Sequence, residues 1–255
     1  MQRRGWTTVV LALFVLEMVI PLVGLLVFSL QTPSGVSLSG YLSMVEDPTF
    51  RQSLVHSLVI SLVSIALSVV LFTPPLWYAY MYRPKIVKWI EGASFLPFVL
   101  PGVVLGLGYV QFFSNPPLAW AGTPYLLPFA FALLGMPYYL QAVLNRLRLV
   151  DAKTYHDASS SLGASGFRSW WSIQLPLLRP GVVNGAILIF SISMGEFAIT
   201  QLTTGGSYMT LPIYLQVTFQ DNPIQGAAMA VLALVIAILA VFLSLMTVSG
   251  RKRGA

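Results

Sequence analysis

The side chains able to do chemistry in this sequence are few, and their types exclude more than they allow. Cysteine is absent, and histidine occurs only as His56 and His156. Disulfides, thiolate metal ligands and thiol nucleophiles are thereby removed, and a histidine-rich metal or haem centre has no ligand set. No G-x-x-x-x-G-K-[ST] run exists to wrap phosphates with backbone N–H groups, and no G-x-S-x-G elbow or H-E-x-x-H helix is present. No catalytic, cofactor-binding or metal-ligating residues are therefore expected. Energy-dependent work would have to draw on another chain or on an ion gradient.

Two groups of residues remain. Glu196 sits in an apolar run with Ser193, Thr200 and Thr203, spaced 3, 4 and 3. At roughly 100° per residue these four share one helix face. An ionised side chain at mid-bilayer costs roughly 3 kcal/mol, so such groups face a cavity or a partner. Two readings stay open: a polar wall along a path, or a protonated or paired Glu that locks two helices. The second group begins at Tyr155 and runs His156-Asp157-Ala158-Ser159-Ser160-Ser161-Leu162-Gly163, followed nine residues later by Ile173-Gln174-Leu175-Pro176. Ala158, Ser159 and Ser160 are small enough for another protein to approach a short helix closely. Gly163 permits a tight exit from that helix, and Pro176 and Pro180 are expected to break the backbone before the next span. The alternative is a solvated, Ser-rich linker that touches nothing.

The elements that hold these residues are membrane helices. Only 9% of the 255 residues are charged and 56% are hydrophobic, with a mean hydropathy of +0.79. A soluble domain carries about 25% charged residues, and disordered chains are poor in apolar residues. Six stretches approach the roughly 20 apolar residues that a bilayer helix needs: about 6–30, 54–80, 93–114, 124–145, 181–203 and 226–248. The first is too long for a signal-peptide h-region and lacks a small-x-small cleavage site, so it reads as a retained anchor. The net charge is +6, from 14 Lys and Arg against 8 Asp and Glu. With six spans, 13 of the 14 basic residues fall on one side, with Arg51 the exception. By the positive-inside rule both termini and the 146–180 segment are then cytoplasmic. Topology thus accounts for the basic pI, and no nucleic-acid partner is expected. The expected fold class is an all-α membrane protein of six transmembrane helices, with a cytoplasmic helix between the fourth and fifth.

The stretch from Asp157 to Pro176 resembles the "EAA" coupling motif of type I ABC importer permeases, the binding-protein-dependent inner-membrane components. Asp157, Ala158, Ser159, Gly163, Ile173, Leu175 and Pro176 fall in register with it, with Asp for Glu and Ser for the second Ala as mild departures. The resemblance extends from about residue 50 to 248. Asp47-Pro48-Thr49-Phe50 before Ser53-Leu54-Val55-His56 resembles the start of the family's second helix, though His56 stands where Asn is usual. Leu96-Pro97-Phe98-Val99-Leu100-Pro101-Gly102 resembles its proline-rich third helix. Gly195-Glu196-Phe197 and Thr210-Leu211-Pro212-Ile213-Tyr214 resemble the branch serving ferric iron, polyamine, thiamine, phosphonate and sulfate or molybdate.

The resemblance implies a permease subunit in a prokaryotic inner membrane, forming half of a path for a small polar or charged solute. It implies a second permease, the same or related, two ABC ATPase subunits docked on the 157–176 loop, and an external solute-binding protein. The ATPases would close on ATP, and the coupling helices would carry that motion to the spans. The chain would divide into an N-terminal helix and external loop (1–50), the permease domain (51–248) and a basic tail (249–255).

Glu17 has no polar stripe around it, which favours a hydrogen bond to another helix. Ser57, Ser61, Ser64 and Ser68 share one face, and small residues of this kind favour close helix packing. Pro97, Pro101, Gly102, Gly106 and Gly108 interrupt the third span, as in helices that line cavities. A secondary transporter with a 3+3 inverted repeat would need motifs recurring in both halves. Pro101-Gly102-Val103-Val104 and Pro180-Gly181-Val182-Val183 are too short for that. A membrane-embedded enzyme would need clustered His, Asp or Cys, which the sequence lacks.

Overall fold

The computed structural model describes residues 2–32 and 35–249. Its elements in chain order begin with α1 (Gln2–Ser29), the short strands β1 (Gln31–Thr32) and β2 (Gly35–Val36), and α2 (Ser39–Glu46). The long helix α3 (Pro48–Tyr82) leads into α4 (Pro84–Ser94), α5 (Leu96–Val99) and α6 (Gly102–Phe112). A 3-10 turn over Pro124–Leu126 opens α7 (Leu127–Leu149), followed by α8 (Ala152–Ser161) and α9 (Gly166–Ser169). A π-helical turn over Trp170–Gln174 joins α9 to α10 (Leu175–Gly195), and α11 (Ala198–Thr204), α12 (Leu211–Asp221) and α13 (Pro223–Ser249) follow. Arg251, Lys252 and Arg253 of the expected basic tail lie outside the described residues.

The expectation of six transmembrane helices is corrected. Among the described residues four helices are long and apolar enough to cross a membrane: Val9–Ser29, Pro48–Tyr82, Pro124–Leu149 and Gly166–Gly195. A fifth is reached only by counting Pro84–Val99 and Gly102–Phe112 as one span bent by 96°. The third span, read over 93–114 and expected to be interrupted by its prolines and glycines, breaks at Pro101, which has no N–H to continue the ladder and whose ring holds Leu100 extended, at ψ 136°. The last expected span falls in α13, where Pro223–Leu239 counts among the shorter apolar helices of the described residues and not among those four. The span expected at 181–203 starts earlier, at Gly166, and ends at Gly195. Pro176 does not break it, because in the first turn of α10 a missing N–H loses nothing. Helix α8 therefore lies between the third and fourth of the four helices, and between the fourth and fifth when the bent pair counts as one. Among the described residues the fold is helical save for the two-rung ladder of β1 and β2, which pairs Gln31 with Val36 and Thr32 with Gly35.

The chain divides into two compact units. One comprises Ser53–Ile213 and the chain from Leu239 onward. Its core centres on α7, where Tyr139, Leu140, Val143, Leu144 and Leu147 are buried with Leu76 and Trp77 of α3 and Leu178 and Ile189 of α10. Helices α7 and α10 approach closely because glycine stands where they meet. A Cβ at Gly185 would lie 2.7 Å from Cδ2 of Tyr139, and one at Gly181 2.6 Å from Cβ of Arg146. The Tyr139 hydroxyl is satisfied by Thr73 Oγ1 at 2.7 Å. The serine face of α3 is buried as packing requires: Ser57, Ser61, Ser64 and Ser68 are each at most 2% exposed. Ser64 and Ser68 return their hydroxyls to the carbonyls of Ile60 and Ser64 in their own helix.

The other unit comprises Met1–Gln52 and Tyr214–Ile238. None of the apolar window in Val9–Ser29 is buried, and Glu17 is exposed on it with no partner among the described residues. Among the described residues Glu17 does not make the expected hydrogen bond to another helix. Asp47, at the C-cap of α2, accepts the Tyr214 hydroxyl on Oδ2 and the Thr49 N–H on Oδ1. The Tyr214 hydrogen bond, aided by those from Thr49, holds the Asp47 carboxyl below its ordinary value. Burial and the Asp47 carboxylate together push the Tyr214 hydroxyl up to about 12. A carboxyl with a lowered folded pKa stabilises the fold fully above its unfolded value and ceases to as pH falls through the folded one. Tyr214→Phe should thus cost about 1 kcal/mol at neutral pH. In thermal unfolding of the detergent-solubilised protein, the gap between variant and wild type should close on acidification below the ordinary carboxylate range.

Candidate functional site: a seated short helix and a carboxylate at a helix break

Helix α8 starts from Asp151, whose left-handed φ of 46° turns the chain sharply out of α7. Asp tolerates that conformation better than most residues, and here its Oδ2 accepts the Thr154 hydroxyl at 2.6 Å. The helix ends in a Schellman motif: Ala164 N–H donates to Ser159 O at 3.0 Å and Gly163 N–H to Ser160 O at 2.9 Å. Gly163 has φ +80°, which an L side chain adopts only under strain.

One face of α8 is fastened to its own unit. Ala152, His156 and Ser159 are buried. The Tyr82 hydroxyl meets His156 Nε2 at 2.9 Å, and the imidazole stands edge-on to Trp77 with centroids 5.7 Å apart. Ser159 Oγ meets Ser169 Oγ at 2.7 Å and donates to His156 O. Gln174 Nε2 donates to Ala152 O at 3.1 Å. The opposite face, carrying Lys153, Asp157, Ala158, Ser160 and Ser161, is exposed.

The structure therefore splits the residues singled out in the sequence. Asp157 and Ala158 point outward, and Gly163 shapes the exit. Ser159, expected to let a partner approach, is 4% exposed, and its small size instead lets α8 sit against Ser169. Ile173 and Leu175 are half-buried and Pro176 exposed, on the turn where Gln174 reaches back to α8. Tyr82, Trp77, Ser169 and Gln174 were missed as the seat of this helix. The signal for its inner face was present: 152, 156 and 159 are spaced 4 and 3, one face of a helix.

The second constellation surrounds Glu196. Helix α10 ends at Gly195, Glu196 is extended with ψ 118°, and α11 starts at Ala198. The Glu196 carboxylate accepts the Ile199 N–H at 3.1 Å on Oε1 and 3.3 Å on Oε2, capping α11. It also borders the break between α5 and α6, since a Cβ at Gly102 would lie 3.3 Å from Glu196 Oε1. The break undoes the expected continuous face of Ser193, Glu196, Thr200 and Thr203. Thr200 and Thr203 are buried at 0% and 1% exposure, with hydroxyls donated to the backbone of Glu196 and Ile199. Ser193 is buried with its Oγ unpartnered, and Glu196 alone is half-exposed. Among the described residues no group of three His, Cys, Asp or Glu could hold a metal ion.

Residues 75–253 match the family described as the binding-protein-dependent transport system inner membrane component. The chain belongs to that family. Both α8 and the Glu196 junction lie inside the matched region. This permease is 29% identical over 213 residues to the molybdenum transport system permease protein ModB of Mycobacterium tuberculosis, covering 78% of this chain and 80% of that one. It is 26% identical over 265 residues to the spermidine/putrescine transport system permease protein PotC of Escherichia coli K12, covering 99% and 96%. It shares its fold with a solved bacterial ABC transporter chain involved in importing the acidic polysaccharide alginate. There the TM-score is 0.67 at 14% identity, covering 98% of this chain and 95% of that one. The protein is a multi-pass membrane permease component of an ABC-type importer. In that architecture ATP hydrolysis belongs to a separate ATPase, and an external binding protein serves the permease.

Proposed function

We propose that this permease forms half of the path for a small charged solute and is driven through α8 by an ATPase subunit. The observation that carries the coupling role is the division of α8 into a fastened inner face and a small-residue outer face ended by Gly163. Helix α8 is fastened to Tyr82 of α3 and to Ser169 and Gln174 of the turn that runs into α10, so a push on its outer face would bear on both. The full site is Asp157, Ala158 and Gly163 on the outer face and at the turn, Ser159 on the fastened face, and Ile173, Leu175 and Pro176 on the turn from which Gln174 reaches back to α8. Two ATPase subunits and a second permease, the same or related, complete the assembly. Glu196, with Ser193, Thr200 and Thr203 behind it, is assigned to the wall of the path. The relatives are named for the transport of molybdenum and of spermidine and putrescine, which supports a small charged solute here.

Counting the bent pair Pro84–Val99 and Gly102–Phe112 as one span, the basic residues Arg146, Arg148, Lys153, Arg168 and Arg179 support a cytoplasmic α8 side in a prokaryotic inner membrane, with the N-terminus on the same side. A single cysteine tests orientation and coupling together, because the chain has no other. Ser160→Cys should react with an impermeant thiol reagent only after the cells are permeabilised. Presence of the ATPase subunit should then shield it. Labelling of intact cells from outside reverses the orientation, and labelling indifferent to the ATPase removes the coupling role.

A further inference from the structure

Beside α8 the permease carries a groove of about 740 Å³ at the last turns of α3. Trp77, Tyr78, Tyr82, Phe167 and Trp170 supply its aromatic wall, and Arg83 stands at its edge. Trp77 is 8% exposed, and its Nε1–H meets no acceptor within the described residues. The Arg83 side chain is exposed and forms no ion pair there; the single ion pair is Arg148 with Glu91, at 3.0 Å.

We propose that this groove binds one anionic phospholipid, with its phosphate on Arg83 and an acyl chain against the Trp77, Tyr78 and Phe167 rings. Three observations select a lipid. The groove forms at the end of Pro48–Tyr82, a helix long and apolar enough to cross the bilayer, so its wall runs into hydrocarbon and its edge into the headgroup layer. Tyr and Trp with a neighbouring Arg are the side chains suited to that level, where an aromatic body meets lipid and a cation meets phosphate. The buried indole N–H lacks an acceptor, which an ester carbonyl supplies. Because Trp77 also touches His156 and Trp170, the lipid would brace the seat of α8. The proposal requires only that α3 spans the bilayer, and it stands whether or not α8 docks an ATPase.

The test uses the assembled importer extracted from membranes and exchanged into phosphatidylcholine nanodiscs containing a minority of phosphatidylglycerol. Lipids retained on release are counted by native mass spectrometry. Wild type should retain phosphatidylglycerol in preference to phosphatidylcholine. Arg83→Gln should reduce that preference about fivefold, the worth of one basic residue at the headgroup layer. Trp77→Phe should weaken retention of both lipids and leave their ratio unchanged. Lys88→Gln, also basic but outside the groove, should change nothing. The proposal fails if Arg83→Gln retains as much phosphatidylglycerol as wild type, or if Lys88→Gln loses as much as Arg83→Gln. Competition by inorganic phosphate would show a free-anion site instead, and absence of any retained lipid would overturn the proposal.

Discussion

Ala158→Trp is expected to leave the permease inserted and folded while cutting solute uptake to background. Ala158 points out from α8, so the added indole meets nothing inside its own unit. At a closely packed contact with the ATPase, by contrast, overpacking costs about 1–3 kcal/mol. With 1.4 kcal/mol per tenfold, docking weakens by roughly 5- to 150-fold. Gly163→Val attacks the same contact from the exit, since a β-branched residue at φ +80° is strained by about 1–2 kcal/mol and unwinds the Schellman turn. Ser159→Trp would not discriminate, because it breaks the hydrogen bond to Ser169 and unseats the helix. The measurement is uptake into proteoliposomes beside co-purification of the ATPase. Full uptake by Ala158→Trp would end the coupling assignment of α8.

The later part of α8 was legible in the sequence because it is local: the small residues from Ala158 onward and the terminal Gly163 lie within six positions. Its start was not, since the short helix was expected from Asp157 and begins at Ala152. What holds the helix was not legible, because Tyr82 and Ser169 lie 74 and 13 positions from His156 and reach it only through the packing of α3 against the 166–174 turn. Hydropathy marked six stretches where four helices, or five with the bent pair, are long and apolar enough, because it does not register where an apolar run breaks. Apolar composition is the same on either side of Leu100-Pro101, and a proline tolerated at 176 looks in sequence like one that breaks the chain. Whether a proline breaks a helix depends on where the first turn falls, and the π-helical turn before Leu175 sets that. The regular 3, 4, 3 spacing of Ser193, Glu196, Thr200 and Thr203 misled for a related reason. Periodicity assumes an unbroken helix, and Glu196 lies at the break.

Glu196→Ala and Glu196→Gln should separate the two roles that this carboxylate can play. Alanine removes the acceptor of the Ile199 N–H and leaves the start of α11 uncapped, which costs about 1 kcal/mol. Glutamine keeps a carbonyl acceptor of nearly the same reach, so thermal stability in detergent should return to within about 0.5 kcal/mol of wild type. Charge is what glutamine does not restore. The carboxylate lies against Gly102 at the 96° bend between α5 and α6, in irregular backbone that membrane proteins tolerate where it is buried or lines a cavity. If the junction lines the path, a charge held there would set the potential for a charged solute passing it, and two extra kcal/mol in the barrier would slow transport about thirtyfold. Both substitutions should therefore reduce uptake at least about tenfold, although only alanine lowers stability. Uptake that recovers with stability in Glu196→Gln would make Glu196 a helix cap, and the wall of the path would have to be sought on another face.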